Sequence, residues 1–389
     1  MKTVLFVNLQ YYDNQPGSGV IKKLLAQAES LNFVGMPCQL AFLARKGAVL
    51  PSTSTVVNHV MVEAKMDNHG PIARPFDVFR FNRSLNCFVD GLGDDDALII
   101  RYPYPAIVPP KSLLRAFRKC KVVYELNSIY DKEARAIEED GLNYLKFQEA
   151  MLQRILLSEA DGAIGVTEEI LDYYRAAGLR KEVPQVTLGN GVDVERLPLR
   201  TPPPFQDRRL KLLAVANVSR WHGYDRIIEG ISRYVGDWNF EMHVVGSGPE
   251  IVNLKSLASR LDLTGVVYFH PFSSGLELDE YFDHCHLGVS SLGLHRKGLN
   301  QASALKAREY CARGLPFMDS TDDKDFSEHF NFRLHISASE SPIDMEEVVS
   351  FAQRVLSSDQ HALQMREFAM KKLDFKVKMR QMAAFIRSL

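Results

Sequence analysis

Lys306 and Glu309 are the residues whose types and spacing point most directly to chemistry. They lie in Ser303-Ala304-Leu305-Lys306-Ala307-Arg308-Glu309-Tyr310-Cys311-Ala312-Arg313-Gly314-Leu315-Pro316-Phe317. This segment reads as a short helix with a Ser cap and a Gly stop, running into a strand. A cation in the first helical turn opposes the macrodipole, which favours negative charge there. Arg296 and Lys297 add positive charge just upstream. An anion on the N–H groups of the helix start removes the conflict, and a diphosphate fits that description. Glu309 leans back toward the helix start, and about 9 Å separates it from Ser303 at about 1.5 Å per residue. That is the reach from a diphosphate to a ribose, whose two hydroxyls a carboxylate can accept. Spacing alone is equally compatible with a solvated Lys–Glu pair.

Other segments place polar groups where such a ligand needs them. Ala216-Asn217-Val218-Ser219-Arg220-Trp221-His222-Gly223-Tyr224-Asp225-Arg226 follows an apolar run and offers Arg220 and His222, the latter equally a packing residue. Val244-Val245-Gly246-Ser247-Gly248-Pro249 and Pro16-Gly17-Ser18-Gly19 are glycine turns after apolar runs. Gly17, Gly19, Gly246 and Gly248 permit close backbone approach, although any tight turn needs glycine. Glu125 ends the run Val122–Leu126, an unusual place for a carboxylate. It is either paired or facing a cleft, and the second reading makes it a catalytic candidate beside Asn127. Thr167-Glu168-Glu169 reads as a helix cap, and Asn190-Gly191-Val192-Asp193 as a hinge with Gly191 in unusual backbone angles.

The elements that must position these groups alternate between short apolar runs and amphipathic helices. Thr3–Leu9 is followed by a polar loop and a helix over Val20–Leu31; Ala97–Ile100, Val122–Leu126 and Ala163–Val166 come later. Leu197–Pro204 contains four prolines and reads as an extended linker. The alternation then restarts at Leu210–Val218. Two parallel-sheet α/β domains are expected, over 1–195 and 196–372, with a C-terminal helix at 373–389 packing back on the first. Ligands in such sheets sit beyond the carboxyl ends of the strands, so two facing domains imply a cleft walled by those loops.

At 389 residues the chain is long enough for two cores. A net charge of -1 argues against a dedicated nucleic-acid partner. Five scattered cysteines without a C-x-x-C pair suit reduced thiols in the cytoplasm. The N-terminal apolar run is too short for a signal peptide. No His and carboxylate set stands at ligand spacing, so no metal is expected. Lys111, Arg115, Arg118, Lys119 and Lys121 alternate with Leu113, Leu114 and Phe117. Such a basic amphipathic helix can lie on an anionic membrane face, or be a solvated face over a core stripe.

The 303–317 segment resembles the K-x-x-E-Y-x-x-x-G-x-P signature of family 4 retaining glycosyltransferases. The 216–226 segment is similar to that family's strand-to-helix loop in a variant with Trp-His-Gly-Tyr-Asp-Arg, and the Gly-x-Gly-Pro and N-G-V-D turns also match. The resemblance implies a GT-B fold, two Rossmann-like parallel-sheet domains facing across a cleft. It implies transfer of a sugar from a nucleotide diphosphate donor of UDP or GDP type, with retention and without a divalent metal or other cofactor. The acceptor is a glycan, a lipid-linked molecule or another compound. Glu309 then takes the ribose, and Ser303, Ala304, Leu305 and Lys306 the diphosphate. Arg220, with Lys306, neutralises the leaving group, and the glycine loops and His222 complete the donor site. Gln301 replaces the first of two glutamates common in the family. The competing readings are a nucleotide-sugar epimerase on the same scaffold and a catalytically silent nucleotide-binding module. A dinucleotide oxidoreductase fails at the third glycine of G-x-G-x-x-G.

Overall fold

The computed structural model describes residues 3–12, 19–45, 58–64, 89–102, 116, 118–129, 154–326, 329–358 and 360–389. They divide into two units, Met1–Gly189 with Phe375–Leu389, and Asn190–Asp374. Gly17, Cys87 and most of the basic stretch at 111–117 fall outside the described residues.

In the first unit, β1 (Val4–Tyr12), β2 (Cys38–Arg45), β3 (Asn58–Ala64), β4 (Ala97–Tyr102), β5 (Lys121–Leu126), β6 (Gly162–Gly165) and β7 (Gln185–Thr187) form one sheet in the order β3-β2-β1-β4-β5-β6-β7. Every pairing is parallel. Burial on both faces explains why the strands read as continuous apolar runs. Helix α1 (Gly19–Phe33) buries Leu24, Ala28 and Leu31 against Val4 and Phe6. The same core takes Met379, Met382, Ala383 and Ile386 of the C-terminal helix α9 (Phe375–Arg387). Helix α2 (Glu168–Ala177) starts as its sequence suggested, with Thr167 Oγ1 accepting the Ile170 N–H at 3.3 Å.

The second unit carries β8 (Arg209–Val215), β9 (Asn239–Val245), β10 (Val267–His270), β11 (Leu287–Val289), β12 (Phe317–Asp319) and β13 (Arg333–His335), ordered β10-β9-β8-β11-β12-β13 and again all parallel. Helices α3 (Tyr224–Arg233), α4 (Ile251–Arg260), α5 (Leu276–His284), α6 (Leu305–Arg313), α7 (Met345–Leu356) and α8 (His361–Phe368) flank it. Leu212 and Ala214 point to one core, with Ile227, Met242 and Val348; Leu213 points to the other, with Phe282, Tyr310 and Phe317. Strand alternation thus serves two cores at once.

The Pro-rich stretch lies within the second unit and is not a free linker. Arg200 is buried, donating to the carbonyls of Gly314 (3.0 Å), Phe282 (3.3 Å) and Cys285 (2.5 Å). The chain passes from one unit to the other at Gly189–Asn190 instead. Gly191 is not among the positive-φ residues, correcting that expectation. Among the described residues, no helix is long and apolar enough to cross a membrane.

Arg308 is fully buried on α6 and pairs with Asp323 and, at 2.6 Å, with Asp325. Removing one partner of a buried ion pair leaves the other charge uncompensated. Arg308→Met should therefore lower the stability of the second unit by about 3–5 kcal/mol. Calorimetry of that unit's unfolding transition would show it, and a loss under about 1 kcal/mol would contradict the pair's structural role.

Candidate functional site

The strand order of the second sheet reverses between β8 and β11. Ligands of doubly wound sheets collect at the carboxyl ends beside such a switch point. The loops leaving β8 and β11 hold Arg220, His222 and the 294–306 segment.

After β8 the chain makes a single 3-10 turn at Arg220–His222, and Gly223 ends it at φ +66. A Cβ on Gly223 would lie 2.7 Å from the Gly293 nitrogen, so the loop after β11 rests directly on this turn. Leu292 N–H donates to the His222 carbonyl at 2.9 Å and Gly293 N–H to that of Trp221 at 3.2 Å. The turn after β9 is joined to the same loop. Gly246 and Gly248 have φ of +135 and +143, and a Cβ on either would strike the backbone of Ala216 or Val218. Val218 N–H donates to the Ser247 carbonyl at 2.6 Å. Both glycines are therefore required by loop-on-loop packing, whatever else they approach.

Helix α6 enters this framework at its N-terminus. The sequence suggested a Ser cap, but the cap residue is Ala304, and no side chain caps the helix. Ser303 Oγ is used elsewhere, accepting the Asn190 N–H at 2.6 Å, while Asn190 Nδ2 donates to the Ser303 carbonyl at 2.5 Å. Tyr310 fixes the helix from below. Its hydroxyl accepts from Val215 N–H at 3.2 Å and reaches the Val289 carbonyl at 3.2 Å, bridging the ends of β8 and β11. Gly288 leaves room for the ring, since a Cβ there would lie 2.7 Å from it. Asn190, Tyr310 and Tyr224 are positioning residues that spacing did not single out. The Asn of N-G-V-D was the available signal for the first.

Lys306 Nζ donates to the Tyr224 hydroxyl at 3.3 Å, and the His222 ring stacks on Tyr224 with centroids 5.4 Å apart. Lys306 has no carboxylate within ion-pair distance among the described residues. The residue as a whole is only partly covered, but its ammonium is desolvated, and burial pushes its pKa down to about 7. His222 is held well below the usual histidine range, first by burial and then by Lys306 and Lys297. Its Nδ1 accepts the Ser219 N–H at 2.9 Å, so the neutral ring carries its proton on Nε2. Arg220 is exposed, and its guanidinium makes no hydrogen bond or ion pair among the described residues. Lys306 and His222 thus meet through Tyr224 beside an uncapped helix start, a setting that suits an anion.

Glu309 follows on the same helix. Oε1 accepts Arg313 Nε at 2.9 Å, and Arg313 is itself held by Asp279 Oδ1 at 2.6 Å, so the carboxylate is oriented while Oε2 has no hydrogen bond among the described residues. Gln301 lies in a parallel bridge with Asp322 and donates to its Oδ2 at 3.3 Å. Arg296, expected to add charge at the helix start, is instead committed to Asp225 (2.7 Å) and Glu340 (2.6 Å). Asp323 and Asp325 have the D-x-D spacing of metal-dependent sugar transferases, but both bind Arg308.

Two residues of the first unit complete the comparison. Glu125 is paired rather than facing open space. It is 2 % exposed, with Oε1 accepting from Gln27 (2.7 Å) beside Lys23 Nζ (3.3 Å) and Oε2 accepting from Asn127 (2.9 Å). Burial raises its pKa, but Lys23 and Arg101 outweigh that and hold it below the usual range. It ties α1 to the end of β5. Gly19 is the exposed first residue of α1.

No family model and no curated protein matches the sequence. Solved structures do. Over 100% of this chain and 99% of theirs, similar folds occur in a sucrose-phosphate synthase from Thermosynechococcus elongatus (15% identity, TM-score 0.68) and in the lipopolysaccharide outer core galactosyltransferase WaaB (14%, 0.63). Anabaena Alr3699/HepE, solved with UDP and with UDP-glucose, is 14% identical with a TM-score of 0.64, each chain covered fully. The two parallel α/β units have the GT-B fold of these glycosyltransferases.

The desolvated Lys306 ammonium destabilises the unliganded protein. Its folded pKa of about 7 lies below the ordinary 10.5, so the unfolded chain binds more protons between those values and stability rises with pH there. Lys306→Met should stabilise by about 1–3 kcal/mol below pH 7. The gain should fade toward the ordinary lysine pKa. A destabilised variant at low pH, measured by thermal denaturation, would contradict the buried charge.

Proposed function

We propose that the protein is a glycosyltransferase that uses a nucleotide diphosphate sugar of UDP or GDP type. The observation that carries this reading is Lys306 in the first turn of an uncapped helix, its ammonium desolvated and without a carboxylate partner among the described residues. A diphosphate supplies the missing negative charge and accepts the helix N–H groups.

In this reading Lys306 and Arg220 neutralise the charge that develops on the leaving diphosphate, with the His222 Nε2–H as a further donor. Ser303, Ala304 and Leu305 form the phosphate cradle. Glu309 Oε2 accepts from the ribose, and the Gly246–Gly248 turn borders the base. Gln301 bonds the donor sugar. The sugar is a hexose transferred with retention to a glycan or lipid-linked acceptor in polysaccharide or glycoconjugate synthesis. The work takes place in the cytoplasm, at or near the inner membrane face. UDP in the HepE structures supports a uridine nucleotide first. An epimerase would share the donor site but release no transferred product.

Binding should be linked to protons. Above pH 7 the free Lys306 is largely neutral, and a bound diphosphate raises its pKa, so binding takes up a proton. Calorimetric titration with UDP at mildly alkaline pH should give a heat that varies with the buffer's ionisation enthalpy, and Lys306→Met should abolish that variation. The same variant should lose about 10²-fold or more in kcat, beyond any loss in donor affinity. If UDP, GDP and ADP all fail to shift the melting temperature, the donor assignment is wrong.

A further inference from the structure

One face of the second sheet carries a cluster that sugar transfer does not use. Lys211 on β8, Glu241 and His243 on β9, and Tyr268 and His270 on β10 share that face by alternation and by the pairings Lys211↔Glu241 and Tyr268↔His243. Helix α5 ends there at His284. His243 is 8 % exposed, and its Nε2 is buried without a hydrogen-bond partner among the described residues. Such a nitrogen is costly unless something binds it. Nε2 stands 3.7 Å from Glu241 Oε2, which stands 4.0 Å from His284 Nε2. The three ligand atoms all lie within 4.8 Å of one another. Chain order concealed this set, because its members come from one strand and from the end of a helix more than forty residues later.

We propose that Glu241, His243 and His284 bind a divalent cation of the zinc class, with a fourth position open to water. Two imidazoles and one carboxylate are a zinc-type donor set. Tetrahedral bonds of about 2.0–2.1 Å separate ligand atoms by about 3.4 Å, so the three side chains close only modestly on the ion. His284 is half exposed and can supply that movement. His243 Nδ1 lies 3.1 Å from His270 Nε2. Donation from His243 Nδ1–H to His270 leaves the Nε2 lone pair facing the ion, the outer-shell arrangement that fixes a ligating ring. The negative end of the α5 dipole also favours a cation.

Two cations border the site. Arg209 reaches Glu241 Oε1 at 3.4 Å, and Lys211 Nζ lies 3.0 Å from His284 Nε2 and 4.0 Å from Glu241 Oε2. The ion displaces the Lys211 ammonium, which moderates its affinity. Glu241 is five residues before Gly246 on an extended strand, about 16 Å away at about 3.3 Å per residue. The site is thus distinct from the anion-binding loops and does not depend on the proposed transferase reading.

Cobalt(II) titration of the full chain, first treated with a chelator, tests this. One equivalent should produce a saturable visible d–d absorption that zinc(II) bleaches in competition. His284→Ala and Glu241→Gln, both at solvent-reached positions, should weaken binding at least about tenfold, while Lys211→Met should tighten it. UDP binding should be unchanged in all three variants. Absence of a saturable band, or equal cobalt affinity in His284→Ala and Glu241→Gln, would overturn the site.

Discussion

A half-exposed lysine whose ammonium is desolvated at the positive end of a helix is the constraint on which the second unit's site depends. Lys306 opposes both the α6 dipole and its own desolvation. Such an arrangement survives only where rigid surroundings enforce it. Tyr310 locks α6 beneath the ends of β8 and β11, Asn190 holds Ser303 so that it cannot cap the helix, and Arg308 anchors the next turn to Asp323. Tyr310, Arg308 and Ser303 are buried and hydrogen-bonded, so together they can hold an unfavourable charge in place. The cost is local and the support is distributed, the usual sign of a site that awaits a ligand.

The three loops around that charge behave as one piece. Gly223, Gly246 and Gly248 each let one loop backbone touch another where a Cβ would not fit. Glycine therefore serves preorganisation here, by removing the gap between loops rather than by loosening them. Preorganised donors need no rearrangement as charge develops, which is what makes them effective in transfer chemistry.

Much of this was legible in the sequence, and the failures share a cause. Apolar runs and their intervening helices gave two parallel α/β units, because strands buried on both faces leave an unmistakable pattern. Lys306 was legible because its conflict with the dipole is local. The Ser303 cap, the uncommitted charge of Arg296 and the cleft-facing alternative for Glu125 did not hold, because their partners are remote: Asn190 is 113 residues from Ser303, Glu340 is 44 from Arg296, and Gln27 is 98 from Glu125. A polar side chain announces its chemistry in sequence but not whether something distant has already satisfied it. The same limit hid the His243 group, and it hid the fact that the prolines at 202–204 follow a buried arginine that staples them down.

The two polar regions of the second unit lie at opposite ends of its strands, and helix polarity accounts for this. In a parallel sheet with crossover helices, the helices that follow strands start at the carboxyl ends and finish at the amino ends. N–H groups and positive dipole ends therefore collect on one rim, and carbonyls with negative dipole ends on the other. The first rim favours an anion, and there the unit places Lys306, with His222 joined to it through Tyr224, at an uncapped helix start. The second rim favours a cation, and there α5 ends at His284, beside Glu241 and His243. Lys211 and Arg209 already answer that preference with positive charge. The orphaned His243 nitrogen differs from them in kind, because an ammonium or guanidinium approaching Glu241 leaves it unbonded, whereas a metal ion can satisfy the carboxylate and both imidazoles at once.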